Sequence, residues 1–147
     1  MKLDALVRWY ETLTPETVPQ LGDLYHERAR FRDPFNDVRG HAAIAAIFRH
    51  MFNTTEQPLF RITDRQRQGR TAWVSWVFDF GLRGRAMRIE GVSRLDFGDD
   101  GRVIEHRDYW DATELFEAFP LVGTILRHLK RLSGTPCRGM GNRTASR

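Results

Sequence analysis

The hydrophobic pattern of this chain changes period once, and that change constrains the fold more than any other feature. Up to about residue 52, apolar side chains recur at helical spacing: Leu3, Leu6, Tyr10 and Leu13, then Ile44, Ile47, Phe48, Met51 and Phe52. From Leu59 to Trp110 the pattern becomes strand-like. Met87, Ile89, Gly91, Ser93, Leu95 and Phe97 fall on one face of a strand, with Arg88, Glu90, Arg94 and Asp96 on the other. Residues 71–80 are apolar on both parities. Val74, Trp76, Phe78 and Phe80 oppose Trp73, Ser75 and Val77, which predicts a strand covered on both faces. Helices first and strands afterwards is an α+β order.

Local signals divide the pattern into elements. Thr14-Pro15-Glu16 predicts the start of a second short helix, running to about Tyr25. Asp33-Pro34 closes a short extended piece over 31–35, because the residue before a proline avoids the helical region. Gly40 precedes the third helix. Gly98-Asp99-Asp100-Gly101 predicts a turn, and Val103 to Trp110 a last strand. Asp111 and Glu114 have capping-box spacing for a C-terminal helix. Pro120 then restarts the chain before an apolar stripe at Val122, Ile125, Leu126 and Leu129.

A length of 147 residues suits one domain. The expected organisation is a folded domain over 1–133 and a flexible basic tail over 134–147. The net charge of +4 invites a nucleic-acid reading, but the charge is not spread evenly. Residues 127–147 hold six of the 23 basic residues and no acid, which leaves 17 against 19 acids elsewhere. The body is nearly neutral, so no nucleic-acid partner is expected. No apolar run approaches the ~20 residues of a spanning helix, and no membrane contact is expected. The first ten residues carry Asp4 and Arg8 within their apolar run and write no signal peptide. The one cysteine, Cys137, fits a reducing compartment, and the expected location is cytoplasmic. Phosphate-cradling glycine loops, the zinc-protease helix and cysteine-rich metal sites are all missing, so neither metal nor cofactor is expected.

The last strand carries the first candidate site. Parity places Ile104, His106, Asp108 and Trp110 on one face. If that face turns inward, an imidazole and a carboxylate about 6.5–7 Å apart at Cα are buried among apolar groups. Such a pair either satisfies itself in the core or does general acid–base work in a cavity. Asp33, among Phe31, Pro34 and Phe35, is the second candidate. It reads either as a turn aspartate or as a carboxylate projecting into a cavity.

The stretch from Tyr25 to Phe35, then Val38-Arg39-Gly40, and the later stretch Gly101 to Asp111 resemble the nuclear transport factor two-like superfamily. That group includes SnoaL-like polyketide cyclases, ketosteroid isomerases and limonene epoxide hydrolases. The resemblance spans roughly residues 3–119. It implies three N-terminal helices packed on a strongly curved, mostly antiparallel sheet, a cone with an internal pocket, a C-terminal helix, and a homodimer formed through the outer sheet face. It also implies roles. Asp33 falls on the isomerases' proton-transferring carboxylate. Their oxyanion tyrosine falls on Trp9 or Tyr10, and their protonated aspartic acid on Ser93. Asp108 matches one acid of the epoxide hydrolases, whose arginine and second aspartate are replaced by Ser75 and Val77. His106 and Asp108 fit the cyclase pattern. The expected function is binding of a small apolar, cyclic carbonyl compound, with cofactor-free isomerase or cyclase chemistry, or else binding alone. The expected catalytic residues are Asp33, Asp108, His106 and Tyr10. Trp9, Phe35, Phe52, Trp73, Trp76, Ser93, Leu95 and Trp110 are expected around the ligand.

Overall fold

The computed structural model describes residues 1–117. Met1–Ala112 form one compact unit, and a second begins at Thr113. The first unit opens with α1 (Leu3–Glu11), a 3-10 turn (Val18–Gln20), α2 (Leu21–Leu24), β1 (Tyr25–Arg32), β2 (Asp37–Arg39) and α3 (His41–Thr54). Four long strands follow: β3 (Glu56–Gln68), β4 (Thr71–Leu82), β5 (Arg85–Phe97) and β6 (Val103–Trp110). With β1 and β2 these strands form one curved six-stranded sheet in the order β2-β1-β6-β5-β4-β3. Every pairing is antiparallel except β1 with β6. α4 (Ala112–Glu117) starts where the Asp111–Glu114 spacing predicts. The apolar stripe after Pro120, the 133/134 boundary and the basic tail lie outside the described residues.

The α+β expectation holds. α1 buries Leu3, Leu6, Val7 and Trp9, while α3 buries Ile44, Ala45 and Phe48. These side chains meet Phe31, Ala72, Val74, Leu95, Phe97 and Val103 from the sheet in a single core. Burying each large side chain contributes roughly 1.5–3 kcal/mol. β5 keeps the predicted alternation, with Ile89, Ser93, Leu95 and Phe97 buried.

The structure corrects three local expectations. The extended piece expected over 31–35 runs instead from Tyr25 to Arg32, with a bend at Pro34–Phe35 before β2. The second helix begins at Val18 rather than Pro15, because Thr14 and Thr17 close a turn on themselves. Thr14 N–H donates to Thr17 Oγ1, and Thr17 N–H donates to the Thr14 carbonyl. The last strand does not keep its parity at Ile104. Asp96 pairs with Glu105 and Phe97 with Val103, so Ile104 bulges out and is exposed. One extra residue on a strand reverses which side chains face inward. Val103 and His106, three apart, therefore both point to the core.

Gly91 is required by packing. A Cβ there would lie 2.4 Å from the Trp76 indole, which crosses over it from β4. Gly91→Ala should cost about 1–3 kcal/mol by overpacking, read as a lower urea midpoint. Gly69→Ala, with positive φ but open space, should cost about 1 kcal/mol or less.

Candidate functional site

The site is built where β5 and β6 pair. Register sets Ser93 opposite Asp108, and Leu95 opposite His106. The bulge at Ile104 turns His106, Asp108 and Trp110 to the inner face. β1 runs parallel on the other side of β6 with Phe31 beside His106, their rings 4.7 Å apart edge to face. α1 brings Tyr10 over the same point.

His106 is 1% exposed and has partners at both ring nitrogens. Nδ1 lies 2.7 Å from the Tyr25 hydroxyl and 3.3 Å from that of Tyr10, and the two hydroxyls are 2.8 Å apart. Nε2 lies 2.7 Å from Asp108 Oδ1 and 3.2 Å from Ser93 Oγ. Ser93 Oγ donates to the same Oδ1 at 2.5 Å, and Trp76 Nε1 donates to Ser93 Oγ at 2.9 Å.

The donors and acceptors permit one continuous direction. Tyr10 donates to Tyr25, Tyr25 to Nδ1, and Nε2–H to Asp108 Oδ1, with Ser93 donating beside it. An imidazole carrying its proton on Nε2 satisfies every member. Burial, the neighbouring Tyr25 and the Asp108 charge push the Tyr10 hydroxyl well above its usual pKa. Tyr25 is raised as well, by burial and then Asp108, against a lowering contribution from its bond to Tyr10.

Like Tyr10, which is only partly buried, Asp108 reaches solvent, with its side chain 16% exposed. Its Oδ2 makes no hydrogen bond among the described residues, nor is it sealed from solvent. Trp110 follows on the same strand face, and Phe35 lies edge-on to it at 5.5 Å.

The structure thus gathers Tyr10, Ser93, Trp76, His106 and Asp108, with Trp110 and Phe35 beyond them. Leu95 lies in the core beside His106 on the neighbouring strand. Trp9 is in the core too, its indole N–H donating to the Thr17 carbonyl at 2.9 Å. Phe52 packs at the edge of that core. Trp73 lies on the opposite face of β4, exposed and stacked on Tyr109 at 6.1 Å. Asp33 is engaged in its own turn. Its Oδ1 accepts from the backbone N–H of Phe35 and Asn36, each at 2.7 Å, and both its oxygens lie within reach of the Asn36 amide. Tyr25 belongs to the site although no sequence pattern marked it, because its partner is 81 residues away.

Two further features bear on binding. Among the described residues no group of three or more metal-ligating side chains converges. A separate groove of about 610 Å³ runs between α1 and β3, lined by Asp4, Arg8, Glu11 and Arg65 among others. An Arg65–Asp4 ion pair at 2.6 Å joins its two walls.

The family model described as the SnoaL-like domain matches residues 6–106. The chain belongs to the SnoaL-like family. No curated protein sequence matches it. Its fold is shared with solved structures of low identity. A nuclear transport factor two-like protein of unknown function from Burkholderia pseudomallei has 17% identity and a TM-score of 0.71, covering 79% of this chain and 95% of that one. A protein with ketosteroid isomerase-like fold from Catenulispora acidiphila, in complex with trimethylamine, has 16% identity and a TM-score of 0.66 over 74% and 85%. An epoxide hydrolase from M. tuberculosis, similar to limonene epoxide hydrolase, has 15% identity and a TM-score of 0.64 over 86% and 92%. At such identities the likeness concerns the fold, and this SnoaL-like domain must be argued from its own residues.

Buried Tyr25 and partly buried Tyr10 should both resist ionisation in the folded domain. Unfolded, each ionises near 10.0. Stability is therefore full below pH 10 and falls above it, by about 1.4 kcal/mol per pH unit for each tyrosine. Urea unfolding between pH 9 and 11.5 should show that slope, and Tyr10→Phe with Tyr25→Phe should remove most of it.

Proposed function

We propose that this SnoaL-like domain binds a small apolar, cyclic compound against the inner face of its sheet, and that Asp108 accepts a proton from it without a cofactor. The observation that carries this reading is the unequal use of the Asp108 oxygens. Oδ1 is held by Ser93 and His106, while Oδ2 makes no hydrogen bond among the described residues. A base fixed in this way needs no reorganisation when it accepts a proton. His106 holds the carboxylate, and Tyr25 and Tyr10 hold the imidazole. The reaction class this supports is an isomerase or lyase/cyclase, acting in the cytoplasm.

The carbonyl part of the expectation has less support. The Ser93 proton goes to Asp108, the Trp76 N–H to Ser93, and the Tyr10 hydroxyl lies within the tyrosine–histidine cluster. This internal use of donors also favours a second reading, a binding module that does no chemistry. Asp33 stays in the proposal only as a carboxylate near the aromatic end of the site.

Mass spectrometry of ligand carried through purification tests both readings. Wild type should retain an apolar compound and convert it on incubation. Asp108→Asn, given that compound at saturating concentration, should convert it at least 100-fold more slowly, the usual scale for losing a general base. A retained compound that wild type never alters supports binding alone.

We also propose a homodimer through the outer sheet face, where Trp73 and Tyr109 stack and Arg107 lies 4.8 Å over the Tyr109 ring. Exposed paired aromatics on a sheet face bury well against a copy of themselves. Light scattering should give twice the chain mass for wild type and the single-chain mass for Trp73→Glu/Tyr109→Glu.

A further inference from the structure

We infer that the ligand recognised at Asp108 carries a protonated amine, which donates an N–H to Oδ2. This deepens the proposed function and rests on Asp108 being its ligand-facing group.

The inference follows from counting donors and acceptors. The side chains bonded at and behind Oδ1 spend their protons inside the cluster: Ser93 O–H on Oδ1, His106 Nε2–H on Oδ1, Trp76 N–H on Ser93 Oγ. None of these three protons is left for Oδ2, which remains an acceptor without a hydrogen bond among the described residues. A carbonyl oxygen arriving there would meet a carboxylate oxygen and lose its own water, which costs free energy. An N–H or O–H would be satisfied.

Charge then selects between those two. Asp108 is mostly withdrawn from water, and no lysine or arginine among the described residues lies within 4 Å of it. Its protein partners are a serine and an imidazole whose other nitrogen faces two hydroxyls. A carboxylate in that position gains more from a cation than from a neutral donor, because the opposite charge offsets its desolvation. The surrounding groups suit a cation that carries apolar substituents. Trp110 shares the face, Phe35 stands edge-on to it, and the Trp76 indole sits behind Ser93. Aromatic faces attract organic cations within about 6 Å.

The test uses the whole chain and three probes of similar size: N,N-dimethylbenzylamine (protonated at neutral pH), benzyl alcohol and acetophenone. Binding is read from the tryptophan indole N–H signals in a nitrogen–proton correlation spectrum. The amine should shift the Trp110 signal and bind at least tenfold more tightly than acetophenone, with benzyl alcohol between them. Asp108→Asn should reduce the preference to less than threefold. If that variant does not fold, the wild-type ranking decides alone. Acetophenone binding as tightly as the amine at the Trp110 signal overturns the amine assignment and leaves the proposed function standing. A preference that survives intact in folded Asp108→Asn overturns it too. Failure of all three probes to move any indole signal overturns both readings.

Discussion

A buried imidazole with partners on both nitrogens is the constraint on which the rest of the site depends. At 1% exposure His106 has no water to fall back on, so each nitrogen must be met by protein. Nδ1 is met from α1 and β1, through Tyr10 and Tyr25. Nε2 is met from β5 and β6, through Ser93 and Asp108. One ring thereby fixes how the first helix, the parallel strand and the antiparallel pair stand relative to one another. A one-residue slip between β5 and β6 would turn His106 outward and put a neighbour in its place. The same ring leaves Asp108 with one oxygen held and one open, which is the chemical content of the site.

Most of the fold was legible because its signals are local. The β5 alternation and the Gly98–Gly101 turn are set by side chains and backbone within a few residues. So is the stripe of α3. What was not legible depended on partners distant in sequence. β1 reaches back to Tyr25 because β6 pairs with it in parallel, a contact of about 78 residues' separation that no local pattern announces. The bulge at Ile104 is invisible to parity, since an apolar residue there reads equally well inward or outward. It shifts the strand by one position, yet His106 and Asp108 stay together because they lie beyond it.

The site was legible to the same depth. His106, Asp108 and Ser93 stood out as polar residues at inward parity on apolar strands, and the structure brings them within hydrogen-bond distance. Trp76 rather than Trp73 joins them, a choice that strand periodicity left open until the sheet's inner face was known. Tyr25 was missed, since a tyrosine at a helix–strand junction reads as core. Its hydroxyl gains meaning only from a histidine on another strand. Asp33 sits in its Asp-Pro turn as local chemistry predicts, accepting from the next two backbone amides. Its isomerase-like role came from the family resemblance.

The proton on His106 is the most direct test of this account. A nitrogen–proton spectrum of the imidazole at neutral pH should show a proton bound to Nε2 and a bare Nδ1, which accepts from Tyr25. A proton on Nδ1 with a bare Nε2 would reverse the chain, put the acidic proton on Asp108 or turn Ser93 toward the ring, and contradict Asp108 as the ready acceptor.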